Sequence, residues 1–252
     1  MPLRIYLTGR VLVEDKGVIL LDEKHLVGRQ GRMTFAYLAY EHLRTVSRDE
    51  LAEELWPGAL PSSWERSLSA LISKLRALLS GAGLSGVALD GSFGHYQLSL
   101  PADAWIDVEA AGEAIDHAES ALRAKEPREA RGWALVAYQI SRRPFLRGEE
   151  GPWVTLKRSG LRDVLVRANE CLSEPSIWQA EPEYAVRYAT EAVNLEPFRE
   201  TSYQLLMRAH AAVGNRAEAL RVYEHCRNLL SEELGVTPSS QTEAVYLDIL
   251  RS

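Results

Sequence analysis

The chain has 252 residues, 46% of them hydrophobic and 25% charged, and 29 Lys and Arg against 35 Asp and Glu give a formal net charge of −6 at pH 7. That composition belongs to an ordinary globular protein, long enough for two modest domains with separate cores. No apolar run approaches a membrane span and the opening MPLRIYLTGRV lacks the apolar centre of a signal peptide, so a cytoplasmic protein without a membrane partner is expected.

LRIYLTGRVLVEDKGVILL is β-prone, breaks at Asp15-Lys16-Gly17 and resumes, which predicts a small antiparallel sheet. GRMTFAYLAYEHL places Phe35, Leu38, Ala39, His42 and Leu43 at helical spacing and predicts a first helix. After Thr45-Val46, the pattern S-x-x-E at Ser47 and Glu50 opens a second helix whose buried stripe holds Leu51 and Leu55 and which Pro57-Gly58 ends. A second S-x-x-E, Ser62 to Glu65, predicts the start of the third and longest helix, which runs to about Leu79.

That third helix divides by face at about 100° per residue. Leu68, Leu71, Ile72, Leu75, Leu78 and Leu79 fall in one sector, with Trp64 at its edge. The opposite sector holds Arg66, Ala70, Ser73 and Ala77, flanked by Ser69 and Arg76 on one side and Lys74 on the other. A small, polar, cationic face can be a solvated helix surface, or a surface that enters a major groove, where Arg and Ser reach base edges and phosphates. The helix runs into GAGLSG, residues 81–86, which satisfies G-x-G-x-x-G. A dinucleotide site needs that pattern to leave a strand and open a helix; here the order is reversed, so Gly81 and Gly83 are read as a helix C-cap and no cofactor is expected. VALDGSFGHYQLSL then predicts a β-hairpin between Val87 and Leu100. Sheet, three helices and hairpin in that order describe a winged helix.

From Ala102 onward strand signals stop and amphipathic helices follow one another, separated by short Gly, Pro or Asn breaks. A shift of 34 residues lays Ala185 on Ala219, Ala192 on Cys226 and Leu195 on Leu229. This is the tetratricopeptide period, and stacked helical pairs build interaction surfaces. Residues 1–101 are neutral and the −6 lies entirely in residues 102–252, which disfavours the second half lying on DNA.

VSRDELAEELWPG, ERSLSALISKLRALL and the hairpin ending GHYQLSLP resemble the OmpR-type DNA-binding domain, and LRIYLTGRVLV resembles its version in the Streptomyces antibiotic regulatory protein family. EELGVTPS, residues 232–239, and PFLRGEEGPW with Trp153 resemble the bacterial transcriptional activator domain. The resemblance implies a mainly α chain: a winged-helix DNA-binding domain over residues 1–101 and an all-α tetratricopeptide-like activator domain over residues 102–252. It also implies a sequence-specific transcriptional regulator that binds direct repeats in double-stranded DNA as head-to-tail pairs. Arg66, Ser69, Ser73 and Lys74 would lie near base edges or phosphates, Arg76 on the backbone, and the hairpin around Ser92, His95 and Tyr96 in the minor groove. The loop of Pro57, Gly58, Ala59, Leu60, Pro61, Ser62 and Ser63 would meet the RNA polymerase holoenzyme.

Residues 87–101 carry no Lys or Arg, so weak binding per protomer and cooperative self-association on DNA are expected. The alternative is an adaptor with a degenerate winged helix whose repeats bind a protein partner; exposure of several among Trp105, Trp133, Trp153 and Trp178, otherwise expected in the repeat core, would favour it. Cys171 and Cys226 are read as buried thiols, the six histidines show no metal-ligand spacing, and no catalytic motif is present, so no enzyme and no metal are expected.

Overall fold

Alternation of apolar residues makes a sheet of the N-terminus in the computed structural model, which describes residues 2–26 and 28–251. Strands β1 (Arg4–Tyr6), β2 (Leu12–Asp15) and β3 (Val18–Asp22) pair antiparallel and bury Ile5, Val13 and Leu21 on one face. The chain continues through α1 (Gly28–Tyr40), β4 (Val46–Ser47), α2 (Arg48–Leu55), α3 (Trp64–Gly81), β5 (Ala88–Ser92), β6 (His95–Ser99) and β7 (Trp105–Ile106). Strand β7 joins the first sheet parallel to β1, in the order β3-β2-β1-β7, while β4, β6 and β5 form a second sheet in the order β4-β6-β5. The remaining helices are α4 (Asp107–Arg123), α5 (Pro127–Ser141), α6 (Pro152–Trp178), α7 (Pro182–Leu195), α8 (Glu200–Ala212), α9 (Arg216–Leu234) and α10 (Ser240–Arg251). The fold is mainly α with small N-terminal sheets, as expected.

The chain forms two units, residues 1–110 with 143–160, and residues 111–142 with 161–252. A boundary after residue 101 therefore misses two pieces of the first unit. Trp105-Ile106, expected in helix, is the strand that completes the first sheet, with Trp105 N–H donating to the Leu3 carbonyl at 2.8 Å. Residues 143–160 belong to the first unit because they satisfy its open polar groups. Gly9 N–H donates to the Pro144 carbonyl at 2.9 Å and Leu146 N–H to the Leu7 carbonyl at 3.2 Å. The Glu149 carboxylate, 1% exposed, takes Arg29 at 2.7 Å and also Arg32. Trp153 packs among Tyr37, Tyr40 and Phe145.

Two other expectations fail locally. Helix α1 stops at Tyr40, so Leu43, placed in its stripe by spacing, lies outside the helix and is 84% exposed. The second capping box does not form: Ser63 is the residue before α3, Trp64 N–H donates to the Pro61 carbonyl at 2.9 Å, and the Glu65 carboxylate pairs with Arg48 instead of turning back on its own helix. The first box behaves as expected, with Glu50 N–H donating to Ser47 Oγ at 3.1 Å.

In the second unit α7 and α9 present equivalent residues inward: Ala185 and Ala219, and Ala192 and Cys226, are all at or below 1% exposure. Small residues at these positions let the paired helices approach closely. Helix α8 packs on α7, α9 and α10. The EELGVTPS segment turns at Gly235, whose φ of 68° ends α9. Its Ser239 hydroxyl and Thr242 hydroxyl both donate to the Glu200 carboxylate, which fixes α10 against α8. Burial opposes ionisation of Glu200, but the hydrogen bonds from Thr242 and Ser239 outweigh it and hold the carboxyl below its usual range.

Candidate nucleic-acid interface

Helix α3 is amphipathic in three dimensions as on paper. Leu68, Ile72, Leu75 and Leu79 are buried and Leu71 and Leu78 half-buried, while Arg66, Ser69, Ala70, Ser73, Lys74 and Ala77 are exposed. The buried side packs on α1, α2 and β5. Helix α2 is itself braced: the Arg44 guanidinium holds the Glu50 carboxyl below its ordinary range against the opposing effect of burial, and the Tyr37 hydroxyl donates to the same carboxylate at 2.7 Å.

The polar side chains of the exposed face divide by what already holds them. Ser69 and Ser73 donate their hydroxyls to the carbonyls of Glu65 and Ser69, each at 2.8 Å, which leaves their oxygens free as acceptors. Among the described residues, Arg66 and Lys74 have neither an ion pair nor a hydrogen bond to a side chain. Arg76 is half-buried and works inside the fold: its Nε donates to the Leu89 carbonyl of β5 at 2.8 Å, and its guanidinium lies against Gly91, where a Cβ would collide with it. Arg76 thus ties the hairpin to α3.

The hairpin is seated from the other side as well. Strand β6 pairs with β4 through Val46 and Tyr96 and through Ser47 and His95, and Arg48 N–H donates to the Gly94 carbonyl at 2.9 Å. Ser92 and His95 are exposed and Tyr96 is half-buried. Arg48 was not found from the sequence. Its guanidinium pairs with Glu65 and lies 5.1 Å from the Trp64 ring centroid, so it closes one wall of a groove of about 750 Å³ at the start of α3, lined also by Ser62, Ser63, Arg66 and Ser69. An Arg at the first position of a helix, directly after its capping Ser47, gives no sequence signal of its own. The preceding loop, Pro57 to Ser63, is exposed throughout, with Leu60 at 44%.

The structure therefore brings Arg66, Ser69, Ser73 and Lys74 onto one free face, gives Arg76 to the hairpin, and sets Ser92 and His95 at the far end of that hairpin. Such a surface suits close approach to a polyanion and its base edges: small side chains at its centre, two free cations, and hydroxyl oxygens open as acceptors between them. Among the described residues no group of three or more His, Cys, Asp and Glu could hold a metal ion, and no helix is long and apolar enough to cross a membrane.

Residues 106–250 match the family described as bacterial transcriptional activator domain. The chain is 30% identical over 223 residues to the regulatory protein AfsR of Streptomyces coelicolor, covering 88% of this chain and 22% of AfsR. It is 30% identical over 237 residues to the transcriptional regulatory protein EmbR of Mycobacterium tuberculosis, covering 87% of this chain and 57% of EmbR. The solved structure of Mycobacterium tuberculosis EmbR in complex with a low affinity phosphopeptide superposes with a TM-score of 0.84 at 23% identity, over 99% of this chain and 65% of that one. The relatives are thus named regulators, and the chain spans about a fifth of AfsR and just over half of EmbR.

Proposed function

Because the chain belongs to the bacterial transcriptional activator domain family, of the Streptomyces antibiotic regulatory protein type, we propose that it is a sequence-specific activator whose helix α3 enters the major groove of double-stranded DNA. The observation that carries this reading is the free face of α3, where Arg66 and Lys74 stand unpaired beside Ser69, Ser73 and the small Ala70 and Ala77. Arg66, Ser69, Ser73 and Lys74 would meet base edges and phosphates, and the hairpin would lie on the neighbouring minor groove near Ser92, His95 and Tyr96. Arg76 reaches the DNA backbone only with the donors that its bond to Leu89 leaves free.

Only two cations are free on this face, and each phosphate neutralised contributes about −0.9 to the slope of log affinity against log salt. Several protomers must therefore act together, and self-association on direct repeats supplies the missing affinity. The loop Pro57 to Ser63 would meet RNA polymerase, a reading its exposure supports. The acidic second unit supports association with protein and repels DNA. The protein acts in the cytoplasm and carries out no catalysis.

Trp133 and Trp178, 39% and 47% exposed, are not repeat core, and this supports a protein-binding surface on the second unit. An adaptor that has lost DNA binding would use the same surface. Selection of genomic DNA fragments by the purified chain separates the two. Enrichment of fragments sharing a directly repeated motif is the expected result; failure to enrich any sequence even at low salt sinks the activator and leaves the adaptor.

A further inference from the structure

The hairpin carries one large side chain that the fold does not use. Phe93 is fully exposed, at 101%, and its φ of 50° lies in the left-handed region, followed by Gly94 at 77°. Two successive positive φ values make the two-residue turn that joins β5 to β6. Such turns favour Asn-Gly, Asp-Gly or Gly-Gly, because those residues tolerate the left-handed region and a bulky ring does not. Here the ring is placed against that preference and buries nothing in return. Backbone strain that no internal packing offsets concentrates at ligand-contacting positions.

The turn is also held firmly from below. Arg48 N–H donates to the Gly94 carbonyl and Arg76 Nε to the Leu89 carbonyl, and His95 Nδ1 lies 3.1 Å from the Phe93 carbonyl. A ring presented from an ordered base loses little freedom on contact. The hairpin itself offers no attraction to phosphate: residues 87–101 hold one acid, Asp90, and no Lys or Arg.

We propose that Phe93 is the hairpin's principal DNA contact, an apolar ring lying in the minor groove against deoxyribose and base edges while α3 occupies the adjacent major groove. This rests on the DNA reading proposed above. Apolar side chains do enter the minor groove of duplex DNA, between or beside base steps. Their contribution is removal of apolar surface from water, which releases no counterions and so leaves the salt slope of binding unchanged.

The test uses F93A, F93N and F93R in the full chain. Each is titrated by fluorescence anisotropy against the duplex that the wild type enriches, across a salt series, and each is unfolded thermally. F93N is expected to melt above the wild type, since Asn suits the turn, and yet to bind about tenfold more weakly with an unchanged salt slope. F93A is expected to bind about tenfold more weakly with the same slope. F93R is expected to regain affinity at low salt with a slope steeper by about 0.9. Wild-type affinity in F93A and F93N overturns the assignment and leaves the role of α3 standing. A wild type that enriches no duplex overturns both.

Discussion

Changing Arg66 and Lys74 together to alanine is expected to weaken binding to the enriched duplex about a hundredfold per protomer and to flatten the salt slope by about 1.8. Each removed group is a charge-assisted contact worth about 1.5 kcal/mol, and about 1.4 kcal/mol corresponds to a factor of ten. Both side chains are exposed and unpaired within the described residues, so the melting temperature should hold to within a degree or two of the wild type, the usual effect of a surface substitution. That separation of binding from stability distinguishes them from Arg76. R76A removes the bond to Leu89 and the packing on Gly91, so it should lower affinity and loosen the hairpin at once. If R66A/K74A binds like the wild type with an unaltered slope, α3 is a solvated face and the proposed mechanism is wrong.

The largest effect on stability is expected at a residue outside the α3 face. Asp107 is the first residue of α4 and is 0% exposed. Its carboxylate accepts Leu7 N–H and Thr8 N–H, each at 2.9 Å, and the Thr8 hydroxyl at 2.6 Å. These donors lie just past the end of β1, where the strand ladder no longer serves them, and the carboxylate substitutes for it. D107A leaves three buried donors without an acceptor, at about 1–3 kcal/mol each before relaxation. A loss of about 4 kcal/mol in the first unit is expected, which for a chain of this size lowers its melting temperature by roughly 8–16 °C. Calorimetry with the variant T8A as comparison checks the assignment, since T8A removes one donor along with its need and should cost far less. A D107A protein that melts with the wild type would mean that water replaces the carboxylate freely.

Much of this organisation was legible because it is written in local pattern. The buried stripe of α3, the Ser47 cap and the 34-residue correspondence between α7 and α9 each follow from spacing alone. What the sequence hid depends on partners far along the chain. Trp105-Ile106 is a two-residue parallel strand whose partner begins at Arg4, and two residues carry no period. Glu149, in a polar run, resembles a solvated acid until Arg29 and Arg32 are seen to close over it. Arg76 sits on the flank of a helix that suggests phosphate contact, while the carbonyl it serves lies on a hairpin formed 13 residues later. Leu43 continues a helical period that the chain itself does not continue. Phe93 gave no signal, because its significance is a backbone angle and an exposure.

The central claim, that the face of α3 centred on Ala70 enters the major groove, is tested most directly by cross-linking. The variant A70C places a thiol at the middle of the exposed face. The native thiols stay silent, since Cys171 and Cys226 are buried and burial pushes them up to about 12 and about 11. The partner is the enriched duplex carrying a disulfide tether, either on a cytosine N4 in the major groove or on a guanine N2 in the minor groove. A mixed disulfide with the major-groove tether, at one position within each repeat and not with the minor-groove tether, is the expected result. A duplex that binds the protein but cross-links to neither, or only through the minor groove, contradicts it.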